Sequence, residues 1–157
     1  MLTEAATTAA TTIRMLALAL WVGGGVALDF VEAPLRFAGG IIDRNQAVGL
    51  GQAVITRWIR AEWALGAIAL GASLVAGGPA WLAWLIVFML AVVTVQGAYL
   101  APAITHLARG LDFVHRASSD SRYVSIRHLH TVSSVCEVAV LLAGVVALVA
   151  TARAVRR

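Results

Sequence analysis

The 157-residue chain has no lysine, one cysteine (Cys136) and three prolines. A lone cysteine excludes an intramolecular disulfide, a two-cysteine metal motif and a C-x-x-C-H haem attachment. Lying inside an apolar run, Cys136 reads as a small core residue rather than a reactive thiol. Charge is also scarce, at 13% of residues against about 25% in soluble domains. All twelve basic residues are arginine and none forms a run, so the net charge of +4 is not a nucleic-acid footprint. The N-terminus lacks a basic n-region, because Glu4 and a Thr/Ala tract precede Arg14. The first apolar run is therefore expected to be a retained span, not a cleaved signal peptide.

What is present is apolar: 61% of the residues, with a mean hydropathy of +0.87. That balance makes the chain an integral membrane protein whose partner is the lipid bilayer. Four spans are expected, at about residues 13–31, 58–76, 80–100 and 131–150, within a single transmembrane domain covering 1–157. The uncharged turn Gly77-Gly78-Pro79 makes the second and third spans antiparallel neighbours. Gly23, Gly24 and Gly25, and the Ala67/Gly71 pair, allow close helix approach, while Trp81 and Trp84 suit an interfacial belt. Asp43 with Gln46 has capping-box spacing and predicts a helix from about residue 44, running into the second span or lying at the interface. Pro102 predicts a break or kink after the third span. Ser118-Ser119-Asp120 predicts the start of a long last helix. The expected fold is an all-α, up-down-up-down four-helix bundle with helical extensions on one polar side.

Four spans put both termini on one side. Eight of the twelve arginines, seven of the eight acids and all four histidines then fall on the other, which defines a polar end. The positive-inside rule places those polar loops in the cytoplasm, although Arg153, Arg156 and Arg157 at the C-terminus argue the opposite way.

One stretch carries this polarity into the membrane. In Arg127–Glu137, His130, Ser133, Ser134 and Glu137 are spaced i, i+3, i+4 and i+7 and share one helix face. Glu137 lies roughly 10 Å beyond His130 and reads as the deepest ionisable group. It must be protonated, paired or facing water. Its expected partners by depth are Arg57 or Arg60, His130, and Gln96 or Tyr99. Asp29 and Glu32 share a face at the end of the first span, with Arg36 four residues after Glu32. An ordinary interfacial helix end accounts for Glu32 better than for Asp29, which has apolar neighbours. The candidate ligand-binding set is Glu137, His130, Ser134, Ser133, Asp29, Glu32, Arg60 and Gln96.

Two explanations of this set compete: a network that fixes helix register, and a cavity for a cation, proton or small polar molecule. His106, His130 and Glu137 are metal-ligand types, but no two histidines stand i, i+4, and His128 and His130 point apart on a helix. A bis-histidine haem would have to join His106 to His130. Catalysis by Ser133 or Ser134 with His130 would need a third orienting group and an oxyanion site, and the sequence shows neither. No catalytic residue is assigned.

Trp21-Val22-Gly23-Gly24 leading to Phe30-Val31-Glu32-Ala33-Pro34-Leu35-Arg36-Phe37 resembles the first-span signature of the transmembrane protein 205-like family of four-span membrane domains. Ala101-Pro102 and Leu129-His130-x-x-Ser133 resemble its other two marks. The likeness covers most of the chain through short motifs, and it implies a fold without an activity. The first span is also loosely similar to copper-resistance D-type domains and membrane protoporphyrinogen oxidases. The histidines those groups would place there are absent, which counts against haem or copper.

The expected function is binding or transport of a cation, proton or small polar molecule at the polar end of the bundle. Glu137 would be the binding group, His130 the relay and arginine the charge balance. The alternatives are an accessory or scaffold subunit of a larger membrane complex and, behind it, a haem-dependent membrane oxidoreductase. A homo-oligomer is compatible with each, and a bacterial-type inner or plasma membrane is the expected location.

Overall fold

The computed structural model describes residues 3–38, 42–115 and 121–155. The expected helix start at Ser118-Ser119-Asp120 and the terminal Arg156 and Arg157 lie outside the described residues. Four long helices are present: α1 (Glu4–Ala38), α2 (Arg44–Ala76), α3 (Ala80–Ala108) and α4 (Ser121–Val155). Each contains a window long and apolar enough to cross a bilayer. Chain neighbours pack side by side and α4 closes back on α1. The bundle is therefore a ring of four, with α2 and α4 on one diagonal and α1 and α3 on the other.

Local chemistry fixes the helix ends. The capping box forms as expected: the Gln46 amide donates to Asp43 Oδ1 at 2.8 Å, and the Asp43 amide to Gln46 Oε1 at 3.2 Å. The helix it starts runs without interruption into the second span. Gly77 and Gly78 take positive φ angles of 69° and 113° in the turn between α2 and α3, a backbone region that favours glycine. Arg14, 3% exposed on α1, reaches this turn and donates from Nη1 to the Gly77 carbonyl at 3.4 Å. A cation at a helix C-terminus answers both the unpaired carbonyls and the negative end of the dipole.

Of the break or kink expected at Pro102, the break does not occur. α3 stays helical through it by widening into a π-helical segment at Gln96–Leu100, after which Pro102 falls in the first turn of regular helix. α1 does the same at Ala27–Glu32, just before Pro34. A proline ring collides with the carbonyl four residues back, here Phe30 and Ala98. Both carbonyls lie in the wide segments, where i→i+5 pairing takes the place of the regular ladder. The two π segments also carry Asp29, Glu32 and Gln96.

The interior is layered. Next to the Gly77 turn lies an apolar cluster of Ala17, Leu18, Ala69, Leu82, Ile86 and Ala147. Above it, toward the polar end, lie Trp21, Met89, Val93, Val140 and Ala143. Gly66 lets Trp21 enter this layer, because a Cβ there would collide with Leu90 and with the Trp21 ring. If the hydrocarbon starts at the Gly77 turn, about 20 residues of α2 cross it and reach roughly Arg57. The earlier turns of α2 extend beyond the membrane on the polar side.

Candidate functional site

Immediately above the apolar layers, α2 and α4 contribute acids to the bundle interior, and α1 places the exposed Asp29 at its rim. Glu62 on α2 is 1% exposed. The Trp21 indole N–H donates to its Oε1 at 2.9 Å. The Trp58 indole lies close to the same carboxylate, but its buried N–H does not reach hydrogen-bond geometry with any partner. Glu137 on α4 faces the interior from the opposite corner of the ring. Gln96 Nε2 donates to its Oε2 at 3.2 Å, and Ser133 Oγ donates at 2.9 Å to Gln96 Oε1, which fixes the orientation of the amide. The other Glu137 oxygen, Oε1, is buried without a hydrogen bond and lies against Gly25 of α1, 3.2 Å from where a Cβ would stand. The Glu137 and Asp29 carboxylates are both within electrostatic reach of Glu62.

Asp29 follows Gly25 by four residues on α1, and Ser133 precedes Glu137 by four on the antiparallel α4. One turn above the Gly25–Glu137 contact, Asp29 therefore stands at the level of Ser133, with His130 a turn further toward water. Asp29 is itself exposed and lies within electrostatic reach of His130. The layer is thus a short acidic column: Glu62 and Glu137 at the bottom, Asp29 above them, His130 exposed at the top.

The sequence set divides on this geometry. Glu137, Gln96 and Ser133 are joined by hydrogen bonds, with Asp29 and His130 in line above them. Ser134 turns aside and donates to its own helix at the His130 carbonyl, 3.0 Å away. Glu32 belongs elsewhere. It forms a forked ion pair with Arg36, whose buried guanidinium packs over Gly51 of α2 and donates to the Ala47 carbonyl at 3.5 Å. Arg57, Arg60 and Tyr99 are exposed and do not balance Glu137. No arginine enters the acidic column among the described residues. His106 is exposed on the extension of α3, and no group of three or more His, Cys, Asp or Glu residues that could hold a metal ion occurs among the described residues.

Glu62 and Trp21 are the members that sequence reasoning missed, and Glu137 is not alone at depth. Glu62 lies 14 residues before Ala76 at the end of α2; its partner Trp21 precedes by one turn Gly25, which meets Glu137, so the two acids stand within about one turn of each other. Counting inward from Gly77-Gly78-Pro79 was the available signal. It places Glu62 inside the bilayer rather than at its edge.

A second polar cluster lies outside the membrane. Asn45, in the first turn of α2, donates from Nδ2 to Asp112 Oδ1 at 3.0 Å and accepts from the Phe113 amide at 2.7 Å. Asp112 also accepts from the Val114 amide at 2.9 Å and meets His115 Nδ1 at 2.9 Å. The Asn45 bond, then those of His115 and Val114, hold the Asp112 carboxyl well below the usual carboxylate range. This cluster ties the segment after α3 to the start of α2.

Two open crevices of about 520 and 510 Å³ flank α1, and both are mainly apolar. Neither is lined by Glu62 or Glu137, so the acids are closed off from the bundle surface at these points. Comparison of the chain with family models, with curated proteins and with solved structures finds no match.

Proposed function

We propose that this membrane protein binds and passes a proton or small cation at the Glu62–Glu137 pair, with Asp29, Gln96, Ser133 and His130 completing the site. The observation that carries this reading is Glu62: a carboxylate 1% exposed, inside a lipid-spanning helix, whose hydrogen-bond donor is a neutral indole. A charged side chain at the centre of a membrane helix costs about 2.5–3.5 kcal/mol on insertion scales. A second and a third carboxylate nearby add repulsion, and no guanidinium among the described residues offsets them. Such a group persists when a positive occupant is part of its working cycle, and a proton is the smallest.

The transmembrane protein 205-like resemblance supports the four-span arrangement and supplies no chemistry. Arginine-rich loops favour a cytoplasmic polar end, in a bacterial-type inner membrane. Proton or cation flux into proteoliposomes under an imposed gradient tests the reading. Wild-type protein should carry flux, and Glu62→Gln and Glu137→Gln should abolish it while remaining folded. The same flux in both variants refutes the reading.

A structural or accessory role is the second reading. The apolar crevice between α1 and α2, lined by Gly23, Gly24, Trp58 and Ala61, favours it by offering a seat for another helix. A wild-type protein without flux that copurifies in fixed stoichiometry with a membrane complex would support that role.

A further inference from the structure

We propose that the occupant is a proton, that it reaches Glu62 and Glu137 from the polar end by way of His130 and Asp29, and that the opposite side is closed in this conformation. This rests on the carboxylate pair being the working site. It adds the identity of the ligand, its route and its sidedness.

The donors and acceptors favour a proton over a metal ion. Glu62 accepts from an indole N–H, and the Trp58 N–H lies near the same carboxylate. An indole nitrogen donates and offers a cation no lone pair. The Gln96 carbonyl oxygen, the natural neutral ligand, is already engaged by Ser133. Glu62 is too enclosed for a hydrated ion. A proton needs only one carboxylate oxygen, and Glu137 Oε1 is buried and unpartnered.

The route follows from helix register. Gly25 lies against Glu137 Oε1, and the next residue on that face of α1 is Asp29, one turn nearer the polar end. His130 stands on the Glu137 stripe of α4 at the exposed mouth, within electrostatic reach of Asp29. One proton moves from water to the imidazole, from the imidazolium to the Asp29 carboxylate, and from that acid to Glu137 or Glu62. Each transfer breaks one N–H or O–H bond as the next O–H forms, and no electron changes hands. Among the described residues, the titratable groups facing the column are His130 and Glu137 from α4, Asp29 from α1 and Glu62 from α2, while α3 contributes the non-titrating Gln96.

In this conformation the other side is closed. Between Glu62 and the Gly77 turn, Leu18, Ala69, Ile86, Met89 and Ala147 are fully buried, and the buried hydroxyls of Ser73 and Thr151 are spent on the Ala69 and Ala147 carbonyls of their own helices, which leaves no titratable step among the described residues. Beyond them the buried Arg14 places a fixed positive charge that repels protons.

The experiment follows tryptophan emission after a rapid pH drop in lipid nanodiscs. The lipid-facing Trp63, Trp81 and Trp84 are replaced by phenylalanine, leaving Trp21 and Trp58 beside Glu62. Glu62→Gln should remove the response, and a persisting response refutes the underlying site reading. With Glu62 intact, Asp29→Asn and His130→Gln should each slow the response about tenfold or more while keeping its amplitude. His130 is exposed, so His130→Gln is informative even if Asp29→Asn fails to fold. Unchanged rates alongside a silent Glu62→Gln overturn the route and leave the site standing. Sodium or potassium at constant pH should evoke nothing, and a matching response overturns the proton assignment. In sealed vesicles sorted by a C-terminal tag, acid on the polar side should evoke the signal at once, and acid on the terminal side only at the slower rate of proton flux. An equally fast response from the terminal side overturns the sidedness.

Discussion

The Trp21 indole N–H and the Glu62 carboxylate meet at 2.9 Å in the middle of the bundle, each side chain 1% exposed and each supplied by a different helix. The pair joins the largest interior side chain to a buried acid. Removing one partner should therefore cost more than removing both. Trp21→Phe is expected to destabilise the protein by about 1–3 kcal/mol, through the bare carboxylate and the lost ring volume. Glu62→Leu combined with Trp21→Phe should recover much of that. The coupling energy should fall near 0.5–2 kcal/mol, the range for hydrogen bonds inside membranes. Denaturant titration of the two single variants and the double variant in mixed micelles measures it.

Close approach is the second dependence. Gly66 faces Leu90 and the Trp21 ring with no room for a Cβ. Gly66→Leu should push Trp21 away from Glu62 and cost about 1–3 kcal/mol, typical of an overfilled core. Gly71, whose Cβ would meet nothing within 4 Å, is the control, and Gly71→Leu should be close to neutral. Thermal unfolding of the two variants separates packing from a general intolerance of bulk in α2.

Arg14 secures the opposite end. Its Nη1 bond to the Gly77 carbonyl caps α2 from a neighbouring helix. Arg14→Leu is expected to lower stability by about 1–3 kcal/mol, chiefly by leaving that carbonyl without a donor. Amide exchange should rise at the last turn of α2 and stay unchanged around Glu62.

Outside the membrane, acid should loosen one tie. Bonds from Asn45, His115 and Val114 hold the Asp112 carboxyl below its unfolded value. Its contribution is then complete above about pH 4, where the unfolded group is also ionised, and is lost as pH falls below that toward the folded value. Amide exchange at Phe113 and Val114, corrected for intrinsic rate, should rise only in that acid range. Asn45→Ala should speed it several-fold already at neutral pH.

Much of this architecture was legible because bilayers impose simple periodicities. Apolar run length marked the spans, and the segregation of arginine, acid and histidine marked the polar end. Helix depth alone brought Gln96 to Glu137. What stayed hidden depended on rotation about a helix axis. Glu62 stands between Arg60 and Trp63 at the start of the second span, and by depth Arg60, not Glu62, reads as the partner of Glu137. On a helix Arg60 and Glu62 point roughly 200° apart, so one reaches outward while the other meets Trp21. Only packing on α1 decides which. The π segments before Pro34 and Pro102 were equally hidden. Sequence rules state that a proline disturbs a helix, but tertiary packing sets whether the chain breaks or widens.

The most direct test is infrared difference spectroscopy of the protein in lipid across a pH titration, observing the carboxylic acid C=O stretch. A band from a buried protonated carboxyl should appear on acidification, vanish in Glu62→Gln and shift in Glu137→Gln. Spectra that are identical in wild type and both variants would contradict proton binding at this pair.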